Sequence, residues 1–219
     1  MFKDYKVFCG TAYRYFMWIV YPLLIVIGNW AFARAVFAFA GDVSFPQGTL
    51  EQVLYIPSGF VVAFEIFTDK FFVRDVHRDG VGGFLYFQSS TRGLITYGNA
   101  MRVDMIRKSL MLLGCNTLGY CFVSTRFEVS WSALFAMLMI EFIVLIVGVT
   151  SSRSFGSLML NILIAIASLY LCEGLVYLYL YFFFESYTVS TILIFVVIFV
   201  ENLHLYIMNR RGRASYYDL

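Results

Sequence analysis

The sequence predicts an all-α polytopic membrane protein, and three observations predict it. Of 219 residues, 61% are hydrophobic and only 14% are charged, whereas soluble domains carry about a quarter charged residues. Apolar runs recur at the length of about 20 residues that a helix rising ~1.5 Å per residue needs to cross ~30 Å of hydrocarbon. The basic residues are spread unevenly over the segments between those runs, which fixes orientation. The 24 Phe and 16 Tyr add interface-loving rings to the same picture.

The elements follow in order. Met1–Ala12 mixes Lys3, Asp4 and Lys6 with Phe2, Tyr5, Val7 and Phe8, the pattern of an interfacial helix on the inner membrane surface. Six spans are predicted: Tyr13–Ala38, Val53–Phe72, Ile106–Ser124, Trp131–Thr150, Phe155–Cys172 and Thr188–Met208. Pro22 and Pro57 predict kinks in the first two, since proline removes a backbone donor and crowds the preceding turn. No small-residue cleavage site follows the first apolar run, so no cleavable signal peptide is expected. Nothing repeats, and residues 1–219 read as a single transmembrane domain. Cys9, Cys115, Cys121 and Cys172 form no CxxC pair and are expected to pack as small hydrophobes.

With the N-terminus inside, fourteen of the sixteen basic residues fall on the cytoplasmic side, and only Arg34 and Arg126 fall outside. Both termini are therefore expected in the cytoplasm of a multi-pass cell-membrane protein, and the span count must be even. The net charge of +2 gives no reason to expect a nucleic-acid partner. One outer stretch, 173–187, is too apolar for a loop and too short to span, and predicts re-entrant helices before span six. The alternative is a fifth span that runs on to Phe184.

Soluble-enzyme chemistry is missing from the sequence. There is no phosphate loop, no His-Glu-x-x-His and no Gly-x-Ser-x-Gly, so no catalytic or metal-binding residues are assigned. Glu201-x-x-His204 has a metal-ligand spacing, but a di-iron bundle needs a second copy on facing helices. Polar groups inside the spans are more informative, because a charge there costs a few kcal/mol and faces a cavity or a partner. Glu65, Glu141 and Glu173 qualify, with Arg34 as a candidate counter-charge; the four are expected to line a substrate path or gate, or else to pair helices. Asn29, Asn116 and Asn161 are expected to hydrogen-bond between helices.

The polar loop Phe71–Met105 concentrates the remaining signal. Glycines at 80, 82 and 83 lead into the apolar Phe84–Phe87, a Ser89-Ser-Thr-Arg92 turn with helix-cap chemistry and a second short helical run. Such a loop suits a groove on another protein; the alternative is a loop resting on lipid head groups. On Gly83, Leu85, Ser89–Arg92 and Gly98-Asn99, and on its topology, the chain resembles the ABC-2 type permeases, the membrane subunits of ATP-driven exporters. The family's turn proline is absent, and Asn99 stands at its basic position.

That resemblance implies a coupling helix within 73–105 that contacts a separate cytoplasmic ABC ATPase through Gly83, Phe84, Leu85, Phe87, Ser89, Ser90, Thr91 and Arg92. It implies ATP and magnesium on that partner, no cofactor in this chain, and a second permease chain making a homo- or heterodimer. It also implies export of a hydrophobic or amphipathic substrate such as a small peptide, as in peptide-export and immunity systems. A non-transporting scaffold or sensor subunit and an intramembrane enzyme are the competing readings.

Overall fold

The computed structural model describes residues 2–40, 49–78, 91–154, 158–184 and 186–217, and every regular element among them is helical. α1 (Phe2–Phe8) is short, and its Tyr5, with the following Cys9, packs on Ala100 and Met101. Next come α2 (Thr11–Tyr15), a π-helical turn (Phe16–Val20) and α3 (Tyr21–Ala40), which continue one another. The π turn, closed by Tyr21 N–H donating to the Phe16 carbonyl, sits where Pro22 has no N–H for the Trp18 carbonyl; a wider register absorbs the loss. The remaining helices are α4 (Thr49–Arg78), α5 (Thr91–Val123), α6 (Trp131–Ser154), α7 (Leu158–Phe182) and α8 (Tyr187–Tyr217).

Five stretches are long and apolar enough to cross a bilayer: Thr11–Phe39, Thr49–Asp69, Trp131–Arg153, Leu158–Phe182 and Tyr187–Ile207. This is a multi-pass helical membrane protein by length and composition. α5, which carries the predicted third span, is not among the five, because its apolar part opens on Arg107 and Lys108 and holds Asn116. It nevertheless runs the height of the bundle beside α3. Asn99 bonds Asp4 at one end (2.8 Å), Cys115 meets Asn29 midway (3.2 Å), and Phe127, just past the helix, lies 6.0 Å from Phe37 at the other.

α4 and α6 form the centre. α6 is apolar on all sides, as a core helix should be, and buries Ala133, Ala136, Met137, Val144, Leu145 and Val149. α4 packs on α5, α6 and α7, while α3 leans mainly on α5 and α8 on α6. Gly148 lets α4, α6 and α7 approach: a Cβ there would press on the Ile66 side chain and lie 3.0 Å from Ser168 Oγ. Thr150 bonds His204 at 2.5 Å, so α8 runs alongside α6 and its last turns lie toward the Arg153 end of that helix. Both ends of the described chain thus lie at one end of the bundle.

Two predicted boundaries are corrected. The stretch 173–187 does not form separate re-entrant helices: α7 runs unbroken from Leu158 to Phe182, and Phe183 N–H still donates to the Tyr179 carbonyl at 2.8 Å. Continuing the helix keeps the backbone of this apolar run hydrogen-bonded internally, which hydrocarbon demands. Within 73–105 the expected short helical run after the Ser89–Arg92 turn is part of one long helix, since α5 starts at Thr91 and runs directly into the region of span three, and α4 continues past its predicted end to Arg78. Residues 79–90 lie outside the described residues.

Candidate functional site

Spacing along two helices builds a buried ionic cluster. Glu65 and Asp69 stand four apart on α4, and Asp104, Arg107 and Lys108 stand at i, i+3 and i+4 on α5, so each set shares one helical face. Where those faces meet, the Arg107 guanidinium grips Glu65 with both arms, Nη1 to Oε1 at 2.9 Å and Nη2 to Oε2 at 2.7 Å. Lys108 Nζ donates to Asp69 Oδ1 at 2.7 Å and to the Glu65 backbone carbonyl at 3.0 Å. From the last turn of α6, Arg153 reaches Asp69 through Nε (3.0 Å) and Nη2 (2.8 Å), and Asp104 through Nη2 (3.1 Å). Asp104 also lies 3.3 Å from Arg107 and 3.2 Å from Lys108.

Three carboxylates therefore face three cations, and none of the six side chains is more than 2% exposed. The charges balance, which is the condition for burying them at tolerable cost. Two donors, Arg107 Nε and Arg153 Nη1, have no partner among the described residues. The cluster ties α4, α5 and α6 together near the bundle end that holds both ends of the described chain. Beyond it, α4 continues to Arg78 and α5 reaches back to Thr91. α1 braces the second arm: Asn99 Nδ2 donates to Asp4 Oδ2 and holds that carboxyl below the usual range, while burial beside Tyr5 pushes the Cys9 thiol up to about 12.

A second polar site lies deeper. Glu141 is fully buried on α6, accepts from Ser58 Oγ of α4 through a short contact, and accepts from Asn116 Nδ2 of α5 at 2.6 Å. Among the described residues no cation pairs with it. Glu141→Leu is expected to lower stability by about 1–3 kcal/mol, because it removes a buried acceptor that links three helices and leaves Ser58 and Asn116 only the Tyr55 and Leu112 carbonyls of their own helices, whereas Glu141→Gln can still accept from one of them and should lose less. Thermal unfolding of the two variants in one detergent measures the difference; equal losses would mean that packing and not hydrogen bonding holds the site.

The other predicted residues scatter. Glu65 is paired, but by Arg107 and not by Arg34, which is a correction: Arg34 is exposed on α3 and its guanidinium lies 6.0 Å from the Trp30 ring centroid. Geometry explains this, because Glu65 faces Arg107 of α5, whereas Ala33 and Val36 beside Arg34 pack on Leu50 and Leu54, about three turns away along α4. Glu173 is exposed on α7. Thr91 opens α5 and Arg92 stands exposed in its first turn; Gly83, Phe84, Leu85, Phe87, Ser89 and Ser90 lie outside the described residues. Glu201 is exposed, and His204 turns instead to Thr150.

All three predicted asparagines do link helices: Asn29 to Cys115, Asn116 to Glu141, and Asn161 to the Phe67 carbonyl at 3.0 Å. Sequence reading missed Asp69, Asp104, Arg107, Lys108 and Arg153 as partners. The matched i,i+4 acids and i,i+3,i+4 charges were the available signal. No family model matches the sequence, and neither a curated protein nor a solved structure matches it.

Proposed function

We propose that this chain is the permease subunit of an ATP-driven exporter, paired with a second permease chain and served by a separate cytoplasmic ABC ATPase that holds the ATP and magnesium. The observation that carries this reading is the pair of helical arms, α4 to Arg78 and α5 from Thr91, clamped at their root by the ionic cluster. A short segment presented by two stiff, cross-linked helices can receive a displacement and pass it to the spans without dissipating it in a loop. The segment they flank contains Gly83, Phe84, Leu85, Phe87, Ser89 and Ser90, the residues of the resemblance to ABC-2 permeases.

In this reading α5 is the sixth crossing and both termini are cytoplasmic. Even with Arg107, Lys108 and Arg153 set aside as paired, the remaining basic residues fall overwhelmingly on that side. Closure of the ATPase dimer on nucleotide supplies the energy, as differential binding to two states requires. The outer half of α7 exposes Tyr177, Tyr181 and Phe182, which suits a hydrophobic or amphipathic cargo such as a small peptide.

The test is a mild-detergent purification of the tagged chain with mass spectrometry of what stays bound. A phosphate-loop protein at near-equal amount is the expected result, and Leu85→Asp should remove it while membrane insertion persists. Unchanged co-purification by that variant would discard the coupling assignment. A chain that emerges without any nucleotide-binding partner would favour the scaffold reading.

A further inference from the structure

We infer that Glu141 is a proton-binding site inside the bundle: it holds its proton as a neutral acid and donates it through Oε1 to Ser58 Oγ, joining α6 to α4. No part of the permease reading is needed for this, so the two can fail separately.

The contacts around Glu141 can be counted proton by proton. Ser58 Oγ meets two acceptors, the Tyr55 carbonyl of its own helix at 2.9 Å and Glu141 Oε1 in the short contact described above. Asn116 Nδ2 also meets two, the Leu112 carbonyl at 3.1 Å and Glu141 Oε2 at 2.6 Å. A hydroxyl carries one proton and a side-chain amide nitrogen two. Ser58 and Asn116 therefore supply three protons to four contacts. An ionised Glu141 can only accept, so Ser58 would have to donate twice. One of its two contacts would then set two oxygens against each other with no proton between them.

The fourth proton has one place to sit. Both amide protons of Asn116 are used, and turning the amide over would set its oxygen against the Leu112 carbonyl. The Tyr55 carbonyl has no proton to give. The proton belongs on Glu141 Oε1. Ser58 accepts it there, the reverse of the direction an ionised carboxylate imposes, and passes its own proton to the Tyr55 carbonyl. Every contact is then made once.

The surroundings fit a neutral acid. Glu141 is fully buried near the midpoint of α6. The titratable side chains of the core around it, Tyr55 on α4, Cys115 on α5 and Cys172 on α7, are a phenol and two thiols and offer no positive charge. A buried carboxyl without a cation takes up a proton in preference to staying charged. Glu65 differs in that the Arg107 guanidinium faces it. The proton also couples two helices. Without it Ser58 can serve its own helix or Glu141 but not both, so proton release loosens α4 from α6 at this level and proton uptake joins them.

Infrared spectroscopy tests this. The full chain would be purified in an ester-free detergent at neutral pH and its carbonyl region compared with that of Glu141→Gln. The wild type is expected to show the C=O stretch of an un-ionised carboxyl that E141Q lacks. Isotopic labelling of the glutamate carboxyl carbons should shift the same band, which identifies it in the wild type without any variant. Ser58→Ala removes the acceptor of the proton and should move the band to higher frequency. Circular dichroism shows that each variant is folded.

A wild type without an isotope-sensitive acid band would overturn the inference. So would carboxylate stretches that disappear in E141Q while the acid region stays unchanged. An acid band that S58A leaves unmoved would overturn the pairing of Glu141 with Ser58.

Discussion

Arg107→Ala is expected to cost the bundle about 3–5 kcal/mol, the range for stripping one partner from a fully buried ion pair. The guanidinium makes two hydrogen bonds to Glu65 and a third contact to Asp104. Its loss leaves three buried carboxylates against two cations. Lys108 Nζ, 4.0 Å from Glu65, is already committed to Asp69 and to the Glu65 carbonyl and cannot take over both arms. Thermal unfolding in a fixed detergent measures the loss. Arg107→Lys should recover only part of it, since an ammonium cannot reproduce the planar two-armed geometry. The double variant Glu65→Leu/Arg107→Leu should recover much more, because removing a buried pair is far less costly than orphaning half of one. A loss below about 1 kcal/mol for Arg107→Ala would place the cluster in water, where such pairs contribute little.

Gly148→Leu is expected to cost about 3 kcal/mol or more, at the upper end of overpacking penalties. The position sits where α4, α6 and α7 meet, and even a methyl group would press on Ile66 and Ser168. Ile66 has no free direction in which to withdraw, being fully buried in the main core cluster. The larger side chain must therefore separate the helices. Gly148→Ala should cost less, as the end of the Ile66 side chain can shift to admit one carbon. Unfolding midpoints of the two variants in one detergent decide this; a Leu variant as stable as the wild type would show that α4 and α7 are free to move away from α6.

What could be read from the residues alone was what local chemistry dictates. Each predicted span except the third lies on a helix that is apolar enough to cross a bilayer, because a long apolar run has one way to satisfy its backbone in hydrocarbon. The three asparagines were legible as helix linkers for a related reason, since amides in such helices seek partners. Glu141 stood out as a carboxylate that escapes to water only with difficulty, and Glu65 as one that either pairs or reaches the interface. The cations that pair with Glu65 did not stand out. Arg107 and Lys108 read as the basic inner flank of a span, which is where cations ordinarily accumulate, and nothing local distinguishes a cation at the interface from one folded under a neighbouring helix.

The boundaries failed for a similar reason. Residues 71–78 and 91–105 are polar enough to read as a loop with a short helical run, yet they are parts of two long helices, and within 97–108 α5 is held by contacts with α1, α4 and α6 that no window of sequence contains. The stretch after Cys172 was long enough for either of two helical solutions, and the unbroken packing of α7 on α4 and α6 selected the longer one. Class, helical spans and the uneven placement of charge were all legible in the residues, because each follows from transfer of side chains and backbone between water and hydrocarbon. Which charges meet emerged with the packed bundle, since an ion pair depends on two helices arriving in register, and register is not a property of either helix alone.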